Sequence, residues 1–188
     1  MEKGITLKEK VFQTIEEQIP LKEFEQWLYQ QSDLLEKMSN DLILELFEFN
    51  YNQKGAHYEF KKSFVKYFDE NEFMLWKIKA NLRDLIAGKE TKDRILHEFY
   101  YDLGYGEYPF VQRIGYYLFE FEELEYSTRT LPDLLSDLKS DAEELLNEIE
   151  LQEKLISDFR IKSFVRKERQ MALPTVEVKR QWWKFWYN

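Results

Sequence analysis

Hydrophobic residues recur about every 3.6 positions along nearly the whole chain, and this spacing predicts a mostly helical protein. Only six Gly and four Pro interrupt the pattern. The predicted helices cover residues 7–18, 21–31, 42–49, 56–68, 72–87 and 91–101, with a short turn through residue 38. Thr6 is placed to cap the first helix, and Gly88 stands where a glycine commonly ends one.

Residues 110–126 fit two kinds of structure. The spacing of Ile114, Leu118 and Phe121 suits one face of a helix. The alternation of residues 117–122 also suits a strand. Both alternatives stay open for this segment.

The longest predicted helix begins at Leu131-Pro132, because proline suits the first helical turn. It extends to about Gln170, which at 1.5 Å per residue gives a length of roughly 58 Å. Its broad apolar stripe predicts packing against several neighbours rather than a narrow two-stranded seam. The predicted inward positions are Leu131, Leu134, Leu135, Leu138, Ala142, Leu145, Leu146, Ile149, Gln152, Leu155, Ile156 and Phe159.

These elements predict a mostly α, single-domain assembly of about seven or eight helices, with one long C-terminal helix and at most a minor β element. Pro174 divides a helical domain, residues 1–173, from a basic aromatic C-terminal tail, residues 174–188. The net charge of −9 is split unevenly along the chain. Residues 1–159 hold 19 Lys and Arg against 34 Asp and Glu, whereas residues 160–188 hold 8 against 2.

The composition indicates which cellular compartment and which kinds of partner suit the protein. The absence of cysteine excludes disulfides and thiolate metal sites, and it favours the reducing cytoplasm. No run approaches the roughly 18 apolar residues of a membrane span, and the N-terminus carries no apolar signal-peptide core. The acidic body predicts no nucleic-acid partner, because phosphate binding needs clustered cations.

The candidates for chemistry are weak. His97, Glu98 and Asp102 lie close in sequence but do not offer the two strong ligands on one helix face that metal sites use. The Gly104-Tyr105-Gly106 loop lacks the further glycine and the Lys-Ser/Thr pair of a phosphate cradle, so it predicts a helix stop and turn. We therefore expect a non-enzymatic protein with no catalytic residues, no cofactor and no metal.

Acidic residues form two groups that could bind a cationic protein. The first is a tight cluster of Glu120, Glu122, Glu123 and Glu125. The second is a row at helical spacing, predicted to lie opposite the leucine stripe: Asp133, Asp137, Asp141, Glu144 and Glu148. A solvated helix face is the simpler interpretation. The alternative is a docking surface for a basic partner such as a nuclease or toxin, since such charge speeds association.

The tail combines aromatic rings with cations. Its rings are Trp182, Trp183, Phe185 and Trp186, and its cations include Lys179, Arg180 and Lys184. This composition resembles an interfacial membrane anchor, and it equally suits docking on the acidic body or on a partner. Docking on the body is favoured over binding a partner or a membrane, because four neighbouring exposed rings would promote aggregation.

Several short segments carry a resemblance to a known family. They are residues 23–29 (EFEQWLY), 42–46 (LILEL), 49–51 (FNY), 58–60 (YEF) and 101–105 (YDLGY), with Phe110 and Gly115. Over roughly residues 8–118 the chain resembles small cytosolic immunity proteins of Firmicutes, which are encoded beside polymorphic or contact-dependent toxins. The resemblance implies binding and blocking of a cognate toxin without catalysis. The alternative is a phage-related or regulatory interaction protein that self-assembles through the long helix, for example as a homodimer.

Overall fold

The computed structural model describes residues 6–35 and 40–166, and these ranges contain helices and no strand. The predicted mostly helical, single-domain class is confirmed. The α-helices are α1 Leu7–Ile15, α2 Leu21–Tyr29, α3 Ser32–Leu35, α4 Asp41–Glu48, α5 Ala56–Phe64, α6 Glu70–Ile86, α7 Lys92–His97, α8 Gln112–Gly115, α9 Tyr117–Glu122 and α10 Leu131–Leu155. A π-helical segment, Glu98–Gly104, continues α7, and short 3₁₀ turns span Val65–Tyr67, Pro109–Val111, Leu124–Tyr126 and Ile161–Ser163. The strand alternative for residues 110–126 is therefore wrong.

Local capping signals set several helix ends. Thr6 and Glu9 form a reciprocal capping box at the start of α1, in which each side chain accepts a backbone N–H of the other residue. Asn40 caps α4 through its side-chain oxygen. Gly88 follows α6 with a φ of 67°, a left-handed conformation that glycine adopts without steric cost. The predicted end of that helix is confirmed.

Two hydrophobic cores share helix α6. The N-terminal core is largely aromatic, and its buried members are Val11, Phe12, Ile15, Phe24, Leu28, Leu46, Tyr51, Phe60, Phe64 and Phe73. The C-terminal core is mainly aliphatic and includes Ile78, Leu82, Leu85, Ile95, Leu96, Phe99, Val111, Ile114, Leu134, Leu138, Ala142, Leu145, Ile149 and Ile161. Met74 of α6 packs against both cores, so they form one continuous body.

A buried ion network also joins the two cores. The ammonium of Lys77, on α6, lies 2.7 Å from Glu16 Oε2 at the end of α1 and contacts Glu98 Oε1 in the π-helical segment. The three side chains are only 12%, 8% and 12% exposed, respectively. Asn81 donates a hydrogen bond of 3.1 Å to the other oxygen of Glu98. Burial alone would lower the pKa of Lys77, but the two carboxylates hold it above its usual value.

Helix α10 packs mainly against α6, and its buried face differs from the predicted stripe. The buried positions are Leu134, Leu138, Asp141, Ala142, Leu145 and Ile149. Leu131 and Leu135 were predicted to face inward but are exposed, as are Leu155 and Ile156. The buried face includes Asp141 because Arg113 of α8 and Tyr117 of α9 contact its carboxylate on that flank of α10.

Helix α10 ends at Leu155, so the prediction of a helix to about Gln170 is wrong. In its last turns Leu151 and Leu155 are exposed, whereas Glu153 pairs with Lys79 of α6 at 2.7 Å. The chain then reverses and buries Phe159, Ile161 and Phe164 in the C-terminal core. Asn71 fixes the reversal: its amide donates to the Phe159 carbonyl at 3.1 Å, and its oxygen accepts the Ile161 N–H at 2.7 Å.

Candidate functional site

An open groove of about 800 Å³ lies between the π-helical segment, α8, α9 and the middle of α10. We call it the tyrosine groove. Its lining residues are Tyr100, Tyr105, Pro109, Gln112, Arg113, Tyr116, Tyr117, Glu120 and Asp141.

A surface of aromatic rings, which we call the tyrosine patch, lines one wall of the groove through Tyr100, Tyr105 and Tyr116 and extends beyond it. Its members are Tyr100, Tyr101, Tyr105, Tyr116 and Phe119. The Tyr100 ring is central, with centroids 4.9 Å from Tyr101, 5.2 Å from Tyr105 and 4.7 Å from Phe119. Tyr101, Tyr105 and Tyr116 are 45%, 66% and 53% exposed. A contiguous aromatic surface of this kind is typical of interaction sites.

Hydrogen bonding orders the centre of the patch. The Tyr105 hydroxyl donates to the Tyr100 hydroxyl at 3.0 Å. This hydrogen bond, with a contribution from burial, raises the pKa of Tyr100 to about 12. The Tyr100 ring therefore stays neutral at physiological pH and presents an apolar face with a polar tip.

The floor of the groove is a polar trio. The buried Tyr117 hydroxyl donates to Asp141 Oδ2 at 3.1 Å, and Arg113 Nη2 lies 3.5 Å from the same oxygen. Burial, together with the charge of Asp141, raises the pKa of Tyr117 well above its usual range. Tyr117 consequently remains a hydrogen-bond donor, and Asp141 is satisfied inside the protein.

A very close approach of two backbones builds the groove. A Cβ placed on Gly115 of α8 would lie 2.4 Å from the Tyr100 nitrogen and 2.7 Å from the Phe99 carbonyl carbon. Glycine is thus required where α8 crosses the π-helical segment. The crossing brings Tyr100 and Tyr116 to one surface, with 6.4 Å between ring centroids. π-helical turns of this kind are frequent at functional sites.

The acidic residues of α9 and the following turn form a rim beside the groove. Glu120 pairs with Arg129 at 2.5 Å, and Arg129 also contacts Asp137 of α10. Glu122, Glu123 and Glu125 are exposed. We call these five carboxylates, Glu120, Glu122, Glu123, Glu125 and Asp137, the acidic rim.

Negative charge is concentrated in the part of the chain that forms this site. Residues 98–148 hold 13 Asp and Glu against three Lys and Arg, a net charge of −10. The rest of the chain is therefore close to neutral, given the total of −9. The tyrosine patch is thus part of a strongly acidic stretch of the chain, and such charge attracts a cationic partner over a distance.

The predicted acidic row along α10 is not a uniform solvated face. Asp133 completes a capping box with Thr130, whose hydroxyl lowers the pKa of Asp133. Asp141 was predicted to lie opposite the apolar stripe, but it is buried, because Tyr117 and Arg113 satisfy its carboxylate. The last two members also interact with other groups: Glu144 pairs with Arg166 at 3.2 Å, and Glu148 has partners of its own.

The tyrosine patch was not among the sites predicted from the sequence, which were the carboxylates and the tail. A signal was present, because six of the twelve tyrosines fall between residues 100 and 117. The tail residues Trp182, Trp183, Phe185 and Trp186 lie outside the described part of the chain. Within residues 6–35 and 40–166, no three His, Cys, Asp or Glu side chains are grouped to hold a metal ion. No helix in those ranges is long and apolar enough to cross a membrane.

Comparison with known proteins gives no relative: no family model, no curated protein and no solved structure matches the chain.

Proposed function

We propose that this chain is a non-enzymatic protein-binding protein, an immunity protein that binds a basic bacterial toxin domain and blocks it. The tyrosine patch is the observation that carries the proposal. Exposed tyrosines offer large, amphipathic contact area at a low cost in conformational entropy, and tyrosine is enriched among residues that dominate binding energy. Occlusion of the toxin's active surface is the proposed mechanism.

The electrostatics support a cationic partner. The acidic rim lies beside the patch in a segment of net charge −10. Arg and Lys side chains bind favourably over tyrosine faces, and the surrounding carboxylates steer them during association. Aromatic contacts then determine how long the complex lasts, while the rim determines how fast it forms.

The family resemblance also supports the assignment of this surface as the binding site. Its later motif, residues 101–105 with Phe110 and Gly115, falls on the π-helical segment and the residue after it, the turn Pro109–Val111 and α8, which lie around the groove. The later part of the resembling sequence therefore lies at the proposed binding site.

Truncation of the patch should weaken binding to the product of a toxin gene encoded next to this one. Tyr105→Ala or Tyr116→Ala is expected to raise Kd about 30-fold each, the loss typical of an interface hot spot. Isothermal titration calorimetry of the purified pair measures the change. Tyr58→Ala is the matched control, because Tyr58 is equally exposed but lies outside the patch. Equal losses for all three variants would contradict the assignment, and sedimentation of the free chain tests the alternative of self-assembly.

Charge reversal in the acidic rim should slow association. The double variant Glu122→Lys, Glu123→Lys is expected to lower the association rate constant about tenfold at low salt, with little change in dissociation. Stopped-flow fluorescence at two salt concentrations measures both rates, and added salt should shrink the difference. The control, Glu23→Lys with Glu48→Lys, makes the same change in net charge at exposed sites of α2 and α4. A control that slows association equally would show that only total charge matters.

A further inference from the structure

The described chain ends beside the tyrosine groove. The Phe164 ring packs on Phe110 with centroids 4.7 Å apart, and Phe110 follows Pro109 of the groove lining. Two residues later, Arg166 pairs with Glu144 of α10 at 3.2 Å. Glu144 is three residues beyond Asp141, so it lies about 5 Å further along the helix axis. The chain therefore leaves the described region at the rim of the groove.

The length of the remaining chain suits an intramolecular contact. Residues 167–188 follow Arg166, and an extended chain of this length spans up to roughly 70 Å. The groove lies only a turn or two of α10 away from the exit point, so a segment of this length is long enough to reach it. A short tether also gives the segment a high effective concentration at the groove, on the order of millimolar.

The chemistry of the segment matches the groove. Residues 167–188 hold five Lys and Arg against two Asp and Glu, whereas residues 98–148 have a net charge of −10. Residues 179–187 combine the cations Lys179, Arg180 and Lys184 with five aromatic rings, and the groove offers tyrosine faces beside carboxylates. Cations bind over tyrosine rings, and aromatic rings pack against one another edge to face or offset.

We propose that residues 179–187 occupy the tyrosine groove of their own chain and so compete with the protein partner for it. The docking rests on the groove, the exit point and the charges. Its regulatory consequence rests also on the proposed function. A tail that fills the groove about 90% of the time would weaken the apparent affinity for the partner about tenfold.

The chain has no cysteine, so a single introduced cysteine carries a spin label at a unique position. The full-length variant Asn188→Cys, labelled with a nitroxide, is examined by paramagnetic relaxation enhancement of its backbone amide signals. The amides of Tyr105, Arg113 and Tyr116 are expected to lose most of their intensity. Those of Tyr29 on α2 and Leu44 on α4, the helices that pack in the N-terminal core, should keep theirs.

Matched variants decide whether the contact is specific. Lys179→Glu, Arg180→Glu and Lys184→Glu together, in the same labelled chain, should restore the groove signals. Tyr105→Ala with Tyr116→Ala should restore the signals of the remaining groove residues. Undisturbed groove signals, or uniform broadening over both cores, would overturn the proposal. So would broadening that appears only between labelled and unlabelled copies, or a label that contacts only added phosphatidylserine vesicles.

The measurement uses no partner, so its result is separate from that of the proposed function. The finding that the tail docks in the groove would hold even if no toxin bound the chain. Conversely, a free tail would leave the patch variants as a complete test of partner binding. If both proposals hold, the charge-reversed tail should tighten partner binding about tenfold.

Discussion

Replacing Lys77 with methionine is expected to lower the free energy of unfolding by about 3 kcal/mol, although methionine has a similar length and is more hydrophobic. Removal of one partner from a buried ion network leaves uncompensated charge, which commonly costs 3–5 kcal/mol. Here Glu16 and Glu98 would both lose their closest cation. The lower end of that range applies, because Arg94 stays 3.3 Å from Glu98 and Lys61 stays 3.9 Å from Glu16.

Urea unfolding followed by circular dichroism measures this loss, and an exposed pair supplies the control. Lys8 contacts Glu72, and both side chains are about half exposed. Lys8→Met should therefore cost less than about 1 kcal/mol. Adding Glu16→Gln to Lys77→Met should recover part of the stability, since it removes one of the two stranded charges. A loss from Lys77→Met no larger than that from Lys8→Met would contradict the role of the network.

The same network predicts a dependence on alkaline pH. The pKa of Lys77 is higher in the folded protein than in the unfolded chain, where it lies near 10.5. Its contribution to stability is thus complete below about pH 10.5 and is lost as the pH rises through the folded value. The difference in unfolding free energy between wild type and Lys77→Met should accordingly be constant at neutral pH and shrink above about pH 10.5.

Features coded by neighbouring residues were predictable from the sequence. The period of apolar positions predicted the helices, and Thr6 and Gly88 were placed correctly at helix ends. Each of these signals acts within one or two turns of chain, so periodicity and capping chemistry suffice to find it.

Features that depend on distant residues were not predictable in this way. The end of α10 depends on Asn71, which is about ninety positions from the reversal that it fixes. The burial of Asp141 depends on Tyr117 and Arg113, which reach it from other helices. A carboxylate at helical spacing indicates a solvated face unless the fold supplies such donors, and sequence spacing carries no information about them.

The candidate site likewise combines features that neighbouring residues encode with features that depend on distant residues. The local concentration of carboxylates was visible in the sequence, and so was the density of tyrosines between residues 100 and 117. Their assembly into one surface depends on the crossing of α8 over the π-helical segment. That crossing in turn depends on Gly115, whose missing side chain cannot be interpreted without its neighbours.

Alanine at Gly115 is therefore expected to lower the free energy of unfolding by about 3 kcal/mol, the upper end of the usual range for an overpacked interior. The added carbon would lie 2.4 Å from the Tyr100 nitrogen, and only movement of the backbone relieves such a contact. Gly106→Ala is the matched control. Its Cβ would lie 3.2 Å from the Asp102 carbonyl oxygen on an exposed turn, so a loss below about 1 kcal/mol is expected.

A second measurement separates damage to the groove from general instability. Moving α8 away from the π-helical segment separates Tyr100 from Tyr116, so Gly115→Ala should weaken partner binding even at temperatures where the variant is fully folded. The change should resemble that of Tyr116→Ala, whereas Gly106→Ala should bind as wild type does. Full affinity in a folded but destabilised Gly115→Ala protein would show that the crossing stabilises the fold without shaping the binding surface. The tyrosine patch would then be an exposed edge of the hydrophobic core without a role in binding.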